Sequence, residues 1–507
     1  MAVPIVDEVK EHLPKHEYVT ADAVPVRFGK EDPENPAEGW PRWKRYRALG
    51  LAMAVTYASA FNASANGAAS EGFREDHPSV SKDDFQASSF TYLAMLGIGP
   101  LVLAPVSETF GRRPQIVICT LIIMLLFLGQ ALAPNVYSLI FCRLIQGTAA
   151  CIEGPTAAGV VADLWPKRTR GPAMAAFVLI VFTANATGPL VAHWVAMTTS
   201  WHWVYWIQLC SNGVVFVLCL CFFPEPRADV ILAKRCARLQ EETGRPHYVE
   251  GGEHFEGWVD ALKISCTRPL TYLLTEPIVI ALSLYMGFTW GVVFLLIGAI
   301  THVFSVQYGF NGGEAGTVLI TGFIGAFISY LLHITLQERV YQRKVSEGHG
   351  KAAPEVRLYP AAIGGWLFCG GAFGFAWTAR PWIPWPVPCV FISIANIGIY
   401  SLYLGTYLYI GDAYDKYSSS GQAAQSLLRN ILGSVFPFFG VAMYDKLGFP
   451  WASSLIGFIA GAMAFIPWLL IFFGARLREH SKIARAMELQ EGDVLMDHPP
   501  MTEVEMP

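Results

Sequence analysis

The apolar residues of this chain are gathered into twelve long blocks. They lie at about 46–66, 86–106, 115–133, 137–161, 171–196, 203–223, 277–300, 314–336, 358–378, 386–410, 422–444 and 451–474. A helix rising 1.5 Å per residue needs roughly 20 apolar residues to cross about 30 Å of hydrocarbon, and each block is close to that length. Charged residues make up only 15% of the 507, against roughly 25% in soluble domains. Length alone would allow about three soluble domains. The continuity of the blocks instead predicts an all-α integral membrane protein with twelve spans.

The remaining composition excludes several classes. A net charge of −4 leaves no nucleic-acid footprint. Residues 1–41 hold no apolar core of the signal-peptide kind, so the first block is expected to act as its own insertion signal. Eight of the ten cysteines lie inside apolar blocks and no C-x-x-C occurs, which reads as reduced packing residues and no metal set. His247 and His254 fall in a polar loop and read as solvated. No phosphate loop or nucleophile elbow appears.

Six blocks precede a polar stretch at 224–275 and six follow it. The expected organisation is a tail (1–45), a six-helix bundle (46–223), a central loop (224–275), a second bundle (276–475) and a second tail (476–507). Bases cluster before the first span (Arg42, Lys44, Arg45, Arg47), between spans two and three (Arg112, Arg113), between four and five (Lys167, Arg168, Arg170), between eight and nine (Arg339, Arg343, Lys344, Lys351, Arg357) and after the last (Arg476, Arg478, Lys482, Arg485). The intervening connections are poor in bases. This alternation predicts both ends in the cytoplasm. The plasma membrane is the default location, with the vacuolar membrane as the alternative. Two six-span halves follow the repeat plan of secondary transporters.

Ionisable groups within hydrocarbon are costly and therefore functional candidates. Glu153 lies about 16 residues into span four, with Gln146 seven residues earlier on nearly the same face and Arg143 ten earlier. A desolvated carboxyl there could exchange a proton, or could be a structural acid hydrogen-bonded between helices. Arg429, two turns into span eleven, could pair with Asp412 or Asp415 or face substrate. Asn62, Asn396, Tyr285, Trp290 and Tyr400 are candidates for a cavity wall, although each could equally bond a neighbouring helix or belt an interface. Gly188-Pro189 is expected to bend span five or admit a neighbour.

One connection is out of keeping with its surroundings. PVSETFGRRP, at 105–114, sets Glu108, Gly111, Arg112 and Arg113 between two apolar helices. Its counterpart in the second half, LQERVYQRKV, is in register between spans eight and nine. Together with RLIQG in span four, ADLWPKRTRGPAM before span five, FFPEPR after span six and QSLLRNILG in span eleven, the knot resembles the major facilitator superfamily, and more closely its fungal twelve-span drug:proton antiporters. Glu108 and Thr109 stand where the family's knot carries Asp and Arg, and only Gly188-Pro189 remains of its span-five antiporter motif.

The resemblance implies two six-helix bundles around a cavity lined by spans one, four, seven and ten, opened alternately to each side. It implies that Glu108 and Arg112 latch the bundles together and hold the outward-facing state, although Arg112 and Arg113 also fit simple positive-inside anchors. It implies that Arg143 aids proton coupling. The expected function is proton-coupled efflux of amphipathic molecules such as drugs, toxins, secondary metabolites or polyamines. The expected partners are that small-molecule substrate and membrane lipid, in a monomer that takes the proton gradient and no cofactor. The alternative is an organic-acid exporter, favoured if Arg143 or Arg429 faces the cavity. A membrane enzyme or a non-transporting receptor are remoter readings.

Overall fold

Among the described residues, twelve helices are long and apolar enough to cross a membrane: Arg42–Asp76, Lys82–Leu103, Arg112–Ala131, Val136–Leu164, Gly171–Thr198, Trp201–Phe222, Pro277–Tyr308, Gly312–Glu347, Pro354–Thr378, Pro386–Ala413, Ser420–Leu447 and Phe449–Arg478. They are spans one to twelve below. The structure, a computed structural model, describes residues 24–29, 32–166, 168–249, 258–348, 352–414 and 418–480, with backbone only at 104–110, 258–265, 418–419 and 479–480. Large apolar side chains such as Ile118, Leu125, Tyr137, Phe458 and Phe472 point outward. In water they would be a liability; against lipid tails they are the required surface. Twelve alternating spans put both ends on one face, called the terminal face here, with the 2–3, 4–5, 6–7, 8–9 and 10–11 connections.

Helix contacts rely on small residues. Spans nine and ten run together along Gly364, Gly371, Ala395 and Gly398. A Cβ on Gly371 would lie 2.5 Å from the backbone nitrogen of Ala395. Lipid gives no hydrophobic drive for helix association, so close backbone approach and dispersion supply it.

Span four is not continuous. Its helix ends at Ala150 and restarts at Glu153. Pro155 has no N–H to offer the carbonyl of Cys151, so the ladder lapses there. Glu153 thereby stands in the first turn of a new helix, where the backbone's partial positive charge lies.

The stretch expected as a loop, with room for a short amphipathic helix, holds two helices and a strand. Helices Ala228–Thr243 and Trp258–Thr275 lie within it. Strand His247–Val249 pairs in parallel with Val24–Val26, from the segment expected to be a tail. Val26, Leu232 and Cys236 form a small apolar cluster beneath the pair. Arg235 bonds Asp32 at 2.5 Å and Arg238 reaches Glu34 at 3.4 Å. Helix Trp258–Thr275 rests on spans two and eleven, and Cys266 Sγ donates to the Leu101 carbonyl at 3.3 Å.

The Arg235 guanidinium holds the Asp32 carboxyl below its ordinary range. A depressed carboxyl contributes stability above its unfolded value and loses it as pH falls through the folded one. The tether is therefore expected to be intact at neutral pH and to loosen only below about pH 4. Limited proteolysis in the 224–250 region across a pH series checks this. Cleavage that already rises between pH 7 and 5 would contradict it.

Candidate functional site: a cavity between the halves

A cavity of about 80 Å³ lies where the two halves meet. The first half contributes Thr56 and Ser59 (span one), Leu93 and Leu96 (span two), Cys151, Gly154 and Pro155 (span four), and Phe177, Val181 and Asn185 (span five). The second contributes Trp290 and Phe294 (span seven), Tyr403 and Tyr407 (span ten), and Ser426, Arg429 and Asn430 (span eleven). Spans two, five and eleven thus join the four expected to line it. The walls are mainly apolar with a few polar groups, as in small-molecule sites.

Arg429 is the charged side chain lining this cavity. It is only 8% exposed. Nη1 donates to the Tyr403 hydroxyl at 2.5 Å and Nη2 to Ser426 Oγ at 3.2 Å. The guanidinium also faces the rings of Trp290 and Tyr403 at 5.5 and 5.2 Å. Asp412, expected as a possible partner, is engaged elsewhere; Asp415 lies outside the described residues. The helix explains the separation. Arg429 is two turns into its span, whereas Asp412 sits at the terminal end of span ten.

Glu153 is buried, 3% exposed, behind the Cys151–Pro155 wall. Thr56 donates to its backbone carbonyl at 3.4 Å, and the Ser59 hydroxyl lies by its carboxyl. One carboxyl oxygen, Oε2, has no hydrogen-bond partner. Thr56 and Ser59 both line the cavity.

Arg143 and Gln146 belong to a separate network inside the first half. Arg143 Nη1 donates to Asn62 Oδ1 at 2.5 Å and its guanidinium lies 4.2 Å from the Tyr92 ring centre. Asn62 Nδ2 and Gln130 Nε2 both donate to Gln146 Oε1, at 2.9 and 2.8 Å. Asn62 therefore serves Arg143 and is not in the cavity wall. Tyr285 is not there either. It precedes Trp290 by five residues, about 140° around the helix, and its hydroxyl lies against Gly365 of span nine. Asn396 bonds its own helix at the Ile392 carbonyl, 2.9 Å away, and lines an adjoining cavity with Asn185 and Phe182. Tyr400 bridges the halves, donating to the Ala175 carbonyl at 2.7 Å. Gly188 sits against Phe61 and Ser64 of span one, and Pro189 lies within an unbroken span five. The pair serves close approach.

Contacts between the halves lie toward both faces. On the terminal face Asp412 (span ten) takes Arg357, at 3.0 Å, and Arg170, from the first half. Gln342 donates to the Arg168 carbonyl at 2.8 Å. On the opposite face Trp194 Nε1 donates to Thr317 Oγ1 at 3.0 Å, and the rings of Phe90 and Phe438 meet at 5.7 Å.

A sequence profile described as Major Facilitator Superfamily matches residues 46–437. The chain belongs to the major facilitator superfamily. It is 31% identical to an efflux pump, radE, of Floropilus chiversii, over 90% of this chain and 84% of that one. It is 33% identical to a major facilitator superfamily multidrug transporter, mdrA, of Aspergillus fumigatus, over 91% and 76%. Among solved structures, the proton:xylose symporter XylE superposes with a TM-score of 0.60 at 14% identity, covering 85% of this chain and 97% of that one. That likeness is one of fold, and the chain is a superfamily transporter with no enzymatic role.

The superfamily knot has partners beyond the expected Glu108–Arg112 pair. Arg112 pairs with Asp163, at the end of span four, at 2.7 Å. The backbone N–H groups of Arg112 and Arg113 donate to Glu225, after span six, at 3.0 and 2.9 Å. Glu225 thus caps the start of span three, where amides lack helical partners and the dipole favours an anion. Gly111 has φ +92°, and a Cβ there would meet Glu225 Oε2 at 2.5 Å. These contacts tie spans three, four and six of one half. The side chain of Glu108 lies outside the described residues. An ion pair across the halves is made by Asp412 with Arg170; Asp412 lies at the end of span ten as Asp163 does at the end of span four, and Arg357 near the start of span nine as Arg112 at the start of span three. Asp163, Glu225, Asp412 and Arg170 were not singled out as a set. The signal for the three acids was a carboxylate at a span end, in ADLWPKR, FFPEPR and YIGDAY.

Proposed function

We propose that this transporter exports amphipathic organic molecules by alternating access, driven by proton exchange at Glu153. The carrying observation is the cavity between two six-span halves, with a buried carboxyl behind its wall. The efflux and multidrug relatives support export as the direction. The clustered bases assign the terminal face to the cytoplasm, most simply at the plasma membrane. Arg170, Arg357 and Asp412 then form the gate that parts when the cavity opens inward.

The test is transport in proteoliposomes under an imposed pH gradient. Wild-type protein is expected to accumulate a fluorescent amphipathic substrate against its concentration gradient. Glu153→Gln is expected to lose that accumulation by at least about 10-fold, while retaining downhill exchange. Unchanged gradient-driven accumulation in Glu153→Gln removes the proton role from this residue. Wild-type protein that moves nothing removes the export reading itself.

A further inference from the structure

The cavity carries a charge that nothing around it balances. Arg429 is over nine-tenths buried and lines the cavity, yet no carboxylate among the described residues pairs with it. Its recorded partners are a phenol, a serine hydroxyl and two ring faces. These relieve a guanidinium without neutralising it. Its Nε–H has no hydrogen-bond partner at all. A guanidinium keeps its charge at any physiological pH, so it cannot escape by losing a proton. Burying an uncompensated charge is strongly unfavourable, and a site that holds one is built to be completed by an anion. Glu153, the buried acid nearest to the wall, faces Ser59 on the first-half side and makes no ion pair with Arg429.

We infer that Arg429 is the anchor for an acidic group on the transported molecule, and that the substrate class is aromatic or similarly apolar organic anions, chiefly carboxylates. A planar carboxylate matches the guanidinium fork. The rest of the wall is suited to a ring. Trp290, Phe294, Phe177 and Tyr407 present flat apolar faces around the same space, and Trp290 meets Phe294 edge-on at 5.8 Å. A cationic ligand would meet the guanidinium with no acid in the wall to offset it. The inference rests on the export reading for its direction of transport but not for its binding chemistry.

Three probes sharing one ring system separate the possibilities in detergent-purified full-length protein at neutral pH: 1-naphthoate (anionic), 1-naphthalenemethanol (neutral) and 1-naphthylmethylamine (cationic). Calorimetric titration is expected to rank the acid first, by about 10- to 100-fold over the alcohol, the range of a charge-assisted hydrogen-bonded contact. Arg429→Gln is expected to remove that preference and leave the alcohol within about twofold. Arg429→Lys is expected to restore part of it. Equal affinity for the acid and the alcohol in wild-type protein, or tighter binding of the amine, overturns the inference without need of any variant. So does an acid preference that survives Arg429→Gln. A transporter that binds the acid selectively but moves nothing in vesicles would keep this assignment and lose the export reading, so the two fail separately.

Discussion

Replacing Asp412 by Asn is expected to release the terminal face of the transporter. Asp412 is one carboxylate between two guanidiniums, and side-chain exposures of 10%, 2% and 11% leave little water to screen Asp412, Arg357 and Arg170. Removing one partner of such a buried pair costs about 3–5 kcal/mol, because the remaining charges stay desolvated. Arg170 belongs to the other half, so part of that cost is specific to the state in which the halves touch. The expected result is a shift toward the state open on the terminal face by on the order of 100-fold. Maleimide labelling of Ala175→Cys, in a background lacking the ten native cysteines, reads it directly: Ala175 is buried beside the Tyr400 bridge and should become reactive. Asp163→Asn provides the contrast. Its partner Arg112 lies in the same half, so it should lower thermal stability without exposing Ala175. Labelling that stays flat in Asp412→Asn, or rises equally in both, would show that the bond across the halves is not the gate.

The second large effect is expected from Gly371→Val. At this position spans nine and ten are separated by no side chain, and an added Cβ would lie 2.5 Å from one backbone atom of Ala395 and 2.8 Å from another. Backbone cannot rotate away as a side chain can. Overpacking of a close-packed interior costs about 1–3 kcal/mol, more where nothing can yield, and here the two helices must separate along their length. Loss of monodisperse protein in detergent, or a melting temperature lowered by several degrees, is the expected readout. Gly370→Val is the control, since a Cβ there meets nothing within 4 Å. A stable Gly371→Val protein would mean that the pair tolerates a wider spacing than this contact implies.

What was legible in the sequence follows from range. The twelve spans are a property of about 20 consecutive residues each, and lipid makes that local property decisive. The site is a property of residues far apart in the chain. Glu225 caps span three from more than a hundred positions away, and no local pattern announces it. Arg429 was visible as a buried cation, but its wall required Trp290 and Tyr403 to be brought beside it by two other helices. Tyr285 and Trp290 looked equivalent in one apolar run, and only helix phase separates the residue on the cavity from the one on span nine. The 224–275 stretch read as a solvated loop because a three-residue parallel strand pair has no periodicity to detect; its partner lies at Val24–Val26, beyond six intervening spans.

The matched arrangement of Arg112 with Asp163 and of Arg357 with Asp412 has a mechanical corollary. Each staple ties the beginning of one span to the end of the next within its own half, and Asp412 in addition holds Arg170 across the seam. Loosening the seam at Arg170 therefore leaves both staples in place, so the hinge can be softened without unfastening either unit.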